Sequence, residues 1–502
     1  MPVVRVAVIG SGLAGLTAAH LLQKATARGP TGEDVRFEVH LYEKSQRLGL
    51  SSASVVFKDA QGRQRLIDTP MRSIQGGYYK RTFALYRYLG VELIRHNYTY
   101  SFSSLSRSAS NIAWRTRFIY SGSNGLSLRP VGIPRACNTI TSLARYLALV
   151  ISVALCYILL ACFSIYHLLR GHLSDPRHPI SHQSLEDWQR SSYVSTHFVN
   201  LIVLPMFACV CTCTRDQLLH HPIAEILEYI ALTFGASHYL VKNGVKQVAI
   251  RLCAPLTPDQ IHLNADVINL ISTEDDQVVL TLADGSSHTF DHLILATQAN
   301  QAASLLSLLA KSLDASGASA ESLHAEHERV DALRLFKYTP TVVINHQDAS
   351  VMPCDHDQRD LNIALSEHLL DSHLSRSDDK GTLGCMSFEH VMATHALDPS
   401  LTGDDAVYQT TNPILPISRV ISTAPFERVV LTKQSKAVLS CFVPGREASR
   451  HFQGQRHVWF CGSWAAEGIP LLEGCVVSAE RTVLAILQSQ DPSICPSKAH
   501  LF

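Results

Sequence analysis

The chain has 502 residues, 46% of them hydrophobic, which is enough for a large core and for two or three lobes. Lysine plus arginine total 43, as do aspartate plus glutamate, so there is no electrostatic reason to expect a nucleic-acid partner. The 13 cysteines are odd in number and irregularly spaced, and the N-terminus lacks a signal pattern, so the expectation is an intracellular, non-secreted protein without a disulfide framework.

Val6-Ala7-Val8-Ile9 reads as a parallel strand buried on both faces. Gly10-Ser11-Gly12-Leu13-Ala14-Gly15 follows at once, and Leu16 to Gln23 reads as a helix. Gly10 permits a tight turn, Gly12 lets the backbone approach a pyrophosphate, and Gly15 lets the helix pack on the strand. The helix N-terminus then offers free N–H groups to phosphate. Val39-His40-Leu41-Tyr42-Glu43 reads as a second strand ending in an acid that can accept ribose hydroxyls. Glu43 comes later than the usual spacing of about 20 residues, and Ala27 to Gly32 reads as the loop insertion responsible. Strand, glycine turn, helix and acid in that order predict a dinucleotide site.

Between Tyr146 and Leu169 no residue is formally charged, and Arg145 and Arg170 flank the stretch. Its length would span a bilayer. A single crossing is excluded if the nucleotide fold is right, because the segments before and after it must meet on one side. The remaining options are a monotopic anchor in one leaflet, a re-entrant hairpin with Phe198 to Val210, or a buried core helix. Membrane contact through 146–169 is the favoured expectation. Cys209, Cys211 and Cys213 alternate too closely for a zinc site and read as core thiols. His220, His221 and His395 read as surface or satisfied core residues. No HExxH, paired-carboxylate or G-x-S-x-G pattern occurs, and no metal is expected. Ala302 to Val330 reads as helical and Asp371 to Gly381 as an exposed loop. Near the C-terminus, Val458-Trp459-Phe460-Cys461-Gly462-Ser463-Trp464 reads as a strand entering a glycine turn, and Glu473 to Ala479 starts a last helix.

After Glu43, Lys44-Ser45-Gln46-Arg47-Leu48-Gly49 resembles the E-x-x-x-R-x-G-G element of the flavin-containing amine oxidase superfamily. Ala265-Asp266-Val267-Ile268 resembles that superfamily's strand over the adenine, and Phe290 to Thr297 its D-x-V-I-x-A-T strand. More narrowly, the chain looks like the predicted NAD/FAD-binding amine-oxidase-like subgroup, which has relatives fused to plant cyclopropane fatty acid synthases. That match rests on Asp68-Thr69-Pro70, Pro205-Met206, Asn345-His346-Gln347-Asp348, Met352-Pro353 and Asn412-Pro413. The chain departs from the pattern at Gly49-Leu50-Ser51, where Gly-Gly-His is usual, and at Ser478, where glycine is common.

The resemblance implies an α/β fold: a Rossmann-type FAD-binding domain with an inserted α+β substrate domain and one long apolar helix. The FAD-binding parts would be 1–60, 241–300 and 451–490, the substrate parts 61–240 and 301–450, and 491–502 a tail. FAD would be held by Gly10, Ser11, Gly12, Ala14, Gly15, Glu43, Lys44, Arg47, Val267, Gly462 and Ser463, with the two ends of the chain adjacent. Trp464 and Glu467 are the candidates to face the flavin, and no amine-oxidase lysine is identifiable. The expected activity is hydride transfer to flavin from a lipophilic small molecule, by oxidation of an amine or alcohol or by C–C desaturation. The competing readings are an NAD(P)-dependent dehydrogenase and a non-catalytic lipid-binding escort protein on the same fold.

Overall fold

Five parallel strands run in the order Ile261–His262, Asp34–Tyr42, Val3–Ile9, His292–Leu295, Val458–Phe460. Three stretches far apart in sequence thus share one sheet. The computed structural model describes residues 2–29, 32–59, 62–107, 114–123, 133, 137–273, 275, 277–353, 357–366, 386–398, 403–494 and 500–502. The stretch Asp371 to Gly381 lies outside the described residues.

Alternation along the strands sends successive side chains to opposite faces of this sheet. Val6, Val8, Val39, Leu41 and Ile294 enter one core, together with Leu16, Leu22, Val476 and Val483 from the first and last helices. Ala7, Ile9, Leu293, Leu295 and Phe460 enter a second core on the other face. Burial on both faces explains why these strands read as continuous apolar runs. The first helix is Leu13–Lys24 and the last is Leu472–Gln490. Asp291 closes the strand before His292: its Oδ2 accepts from Arg5 N at 2.7 Å, and its own N–H donates to Arg5 O at 2.9 Å.

The 27–32 insertion is not a plain loop. Thr26–Arg28 is a short strand paired antiparallel with Asp34–Tyr42, a hairpin added to the sheet edge. The predicted helix from Ala302 to Val330 is two helices, Ala299–Ala315 and Ala320–Arg334, separated at Gly317 with φ +74°. Ala302, Leu306, Leu309 and Leu313 bury their stripe in the same core as Leu295 and Phe460. Residues 299–334 therefore pack on the nucleotide-binding sheet, which corrects the assignment of all of 301–450 to the substrate lobe. Leu439, Phe442 and Val443 do the same.

The two inserted regions share a seven-stranded sheet. Its order is Val420–Val430, Lys337–His346, Tyr408–Thr411, Met392–Ala396, Leu361–Ser366, Thr99–Arg107, Trp114–Ser123. The parallel pairing of Leu361–Ser366 with Thr99–Arg107 joins the late insertion to the early one.

The apolar segment is a 30-residue helix, Ile140–Leu169, started by a capping box of Thr139 and Ser142. Only 22% of its most apolar stretch is buried, so the core-helix option is not what the structure adopts. Tyr146, Val153, Leu160, Ser164 and His167 form one buried stripe. Ile151, Leu155 and Ile158 are 60–62% exposed, with Leu147 and Leu159 beside them. The hairpin option also fails. Phe198, Val199, Ile202, Val203, Leu204 and Phe207 are buried in the main core, so this segment offers no free apolar face.

A buried ion pair fastens the added helices to the last sheet strand. Arg329 donates to both carboxylate oxygens of Glu326 at 2.9 Å and to Val458 O at 3.3 Å, and neither side chain of the pair reaches solvent. Replacing Glu326 with alanine strands a buried guanidinium and should cost about 3–5 kcal/mol in urea unfolding. An unchanged midpoint would contradict this role.

Candidate functional site

The glycine turn sits at the C-terminal end of Val3–Ile9, in the middle of the parallel sheet. Gly10 has φ +104°, a region open to glycine, and its N–H donates to Tyr42 O at 2.8 Å. A side chain at Gly15 would collide with the Gly10 carbonyl and with Ala296, so its absence sets the close approach of helix and strand. Gly12 differs. A Cβ added there meets no atom within 4 Å, so its backbone faces open space at the helix N-terminus.

Glu43 and Ser11 brace the turn. Glu43 Oε2 accepts from Ser11 N at 3.0 Å and Ser11 Oγ at 2.5 Å, and Oε1 accepts from Ser45 N at 2.9 Å. Ser11 Oγ also accepts from Gly49 N at 2.7 Å. The Gly49-Leu50-Ser51 departure thus keeps its tie to the turn, and Leu50 turns into the core. Ala14 is buried beside the turn, while Arg47 is exposed. Lys44 Nζ pairs with Asp266 at 3.0 Å on the surface, tying the strand end to the segment leading to Val267. Val267 is buried at the head of Val267–Ser272, in a three-stranded antiparallel sheet, and Ala265 N donates to Glu43 O at 2.9 Å.

The closing segment arrives from the other end of the chain. Cys461 N donates to Leu295 O at 3.2 Å, placing Gly462 and Ser463 beside the opening turn. Ser478 Oγ accepts from Gly462 N and donates to Gly462 O, both at 2.9 Å. The serine at this usual glycine position therefore has a structural task. Gly474 lies so close that an added Cβ would come within 2.7 Å of Ser463 O.

Two adjoining cavities result, of about 220 and 390 Å³, and Gly12, Leu13, Ser463, Leu471 and Cys475 line both. Trp464 borders the smaller one, but its ring packs on Phe336 and Phe442 at 4.9 and 5.2 Å, and its Nε1 donates to Thr297 O at 2.9 Å. Its role is that of a wall. Glu467 is corrected: Arg446 at 3.0 Å and Arg481 at 2.5 Å take its carboxylate, and it lines neither cavity.

Sequence reasoning missed the polar groups of the larger cavity. Arg72 and Arg428 line it, and each has a buried Nε without a partner. Burial, then the neighbouring Arg72, pulls Arg428 down to about 10. Among the described residues no aspartate or glutamate lines this cavity, and Glu427 lines the adjoining smaller one. His238 and His395 also line it, and burial draws each down to about 4, so both are neutral at pH 7. His395 Nδ1 is buried without a partner. Arg72 stands directly after Asp68-Thr69-Pro70-Met71, but a linear pattern does not tell an exposed arginine from one aimed inward.

These residues fit FAD. The open face of Gly12 and the free N–H groups of the helix N-terminus supply what a diphosphate needs. The Cβ of Gly12→Val meets no protein atom within 4 Å, and the side chain occupies the space left to the diphosphate. The variant should fold with a stability change within about 1 kcal/mol and lose its flavin. Retained flavin absorbance after gel filtration would count against the site.

The model of the family described as flavin-containing amine oxidoreductase matches residues 13–366. Solved structures of the same fold include putrescine oxidase bound to putrescine, at 12% identity and TM-score 0.55, covering 97% of this chain and 100% of that one. Cyclohexylamine oxidase from Brevibacterium oxydans follows at 12% identity and TM-score 0.53, covering 97% and 99%. An oxidoreductase from Methanosarcina mazei has 14% identity and TM-score 0.54, covering 95% and 98%. No curated protein matches the sequence. The nicotinamide-dehydrogenase and escort readings give way to the family match, which spans well over half of the chain. The chain belongs to the flavin-containing amine oxidoreductase family and is an FAD-dependent oxidoreductase.

Proposed function

We propose that the enzyme oxidises a lipophilic molecule carrying an acidic head group, taken up at a membrane surface. The observation that carries this reading is the larger cavity: Arg72 and Arg428 line it with their Nε atoms buried and without hydrogen-bond partners, and the carboxylate that acts on Arg72, Asp68, lies outside its lining. Two confined positive charges repel an ammonium group and attract an anion. Apolar and aromatic side chains, Met71, Met206, Leu361, Tyr79, Tyr98 and Tyr229 among them, make up much of the rest of the wall. Such a wall suits a hydrocarbon body with few polar atoms.

Bound FAD supplies a two-electron acceptor for a substrate C–H bond. The protein's own contribution is to place that bond. The arginines hold the acidic end, the tyrosines and methionines hold the chain, and water is kept out. His395 offers a neutral ring with an unpartnered Nδ1 at which a substrate proton can rest.

Access from a membrane is supported by the Ile140–Leu169 helix. Its exposed apolar face suits an interfacial helix lying in one leaflet. Strands before and after it, Val3–Ile9 and His292–Leu295, pair in one sheet, so a single crossing does not fit. On its buried side Tyr157 is hydrogen-bonded to Tyr100, a residue of the cavity wall. The helix and the cavity wall are therefore in direct contact.

Anaerobic flavin bleaching with dodecanoic acid, dodecanol and dodecylamine tests the head group. The acid should reduce the flavin fastest, and Arg428→Met should keep its flavin while raising KM for the acid at least about tenfold. Fastest reduction by the amine would overturn the reading, as would an unchanged KM for the acid in flavin-loaded Arg428→Met. The membrane arm has its own test. Full-length protein should sediment with membranes, and a Leu147→Glu, Ile151→Glu, Leu155→Glu variant should shift to the soluble fraction. Wild-type protein soluble without detergent would end that part.

A further inference from the structure

We infer that His167, His172 and His178 form a binding site for a divalent transition-metal ion of the zinc class, separate from the flavin site. Their ligand nitrogens all lie within 4.8 Å of one another. The Nδ1 atoms of His167 and His172 are 3.1 Å apart, and the rings of His172 and His178 stack with centroids 4.0 Å apart. Two nitrogens on a tetrahedral zinc, each about 2.0–2.1 Å from the metal, stand about 3.3 Å from each other. The first pair is therefore already near the spacing a metal imposes. A modest rotation of the third ring brings it in, at the cost of one long bond, Ile180 N to His178 Nδ1 at 3.3 Å.

The scaffold holds this cluster together. His167 lies in the last turn of Ile140–Leu169, and His172 N donates to His167 O at 3.0 Å across the reversal at Gly171. Ser181 Oγ donates to Asp175 O at 2.7 Å and to His172 O at 3.3 Å, folding the stretch from 171 to 182 onto itself. Neutral imidazole suits zinc, copper or nickel rather than magnesium or calcium. Three protein ligands leave a fourth position for water. The ion would pin the turn after the helix to the helix's own end.

The test uses tag-free, flavin-loaded, full-length protein. After exposure to zinc and dialysis, elemental analysis should find one zinc per chain, and titration calorimetry should find one site. In a His172→Ala, His178→Ala variant the affinity should fall at least about tenfold while flavin content stays the same. His178→Gln provides a milder variant with the same expected direction. Wild-type protein that keeps no zinc, or variants that bind it equally well, would overturn the inference.

Discussion

Everything at the active centre depends on parallel pairing between strands that are hundreds of residues apart. Val3–Ile9 lies beside His292–Leu295, and His292–Leu295 lies beside Val458–Phe460. This pairing puts the opening glycine turn and the closing Gly462-Ser463 turn at the same end of one sheet. The carboxyl ends of parallel strands are where such folds leave a crevice. Two helix N-termini then converge there, from Leu13–Lys24 and Leu472–Gln490, whose flanks pack together in the same core. The close contacts at Gly15 and Gly474 let each helix begin that near to its turn.

Around this frame, polar groups are spent unevenly. Near the glycine turn, Ser11, Glu43, Ser45 and Gly49 satisfy one another and make a rigid cradle. In the larger cavity, by contrast, two arginine Nε atoms and a histidine nitrogen have no partner. A buried donor without an acceptor costs about 1–3 kcal/mol. The low effective dielectric of such a site strengthens whatever anion enters. The structural relatives named for amines share the fold with this chain, but at 12% identity they do not carry their substrates with them.

The long apolar helix is the other departure from an ordinary soluble core. Its buried stripe, including Val153 and Leu160, belongs to the main core. Its other side leaves Ile151, Leu155 and Ile158 exposed together. An apolar face of this length is expensive in water, which makes its placement beside the cavity wall consistent with a lipophilic substrate.

By itself the sequence determined the nucleotide-binding half. The strand, the Gly10 to Gly15 turn, the helix and Glu43 are local features, because backbone freedom, helix N-termini and apolar runs leave their mark over a few residues. The uncharged stretch before Arg170 was legible for the same reason, as was the final strand and helix. Tertiary structure alone decided what those elements face. Lys44 turned to Asp266 and Glu467 to Arg446 and Arg481, while Arg72, Arg428 and His395 came to line a cavity. Helices 299–334 joined the nucleotide sheet rather than the substrate lobe because their apolar stripe found Leu295 and Phe460. Side-chain pairing and burial depend on contacts between distant segments, and local pattern carries no record of which distant segment will arrive.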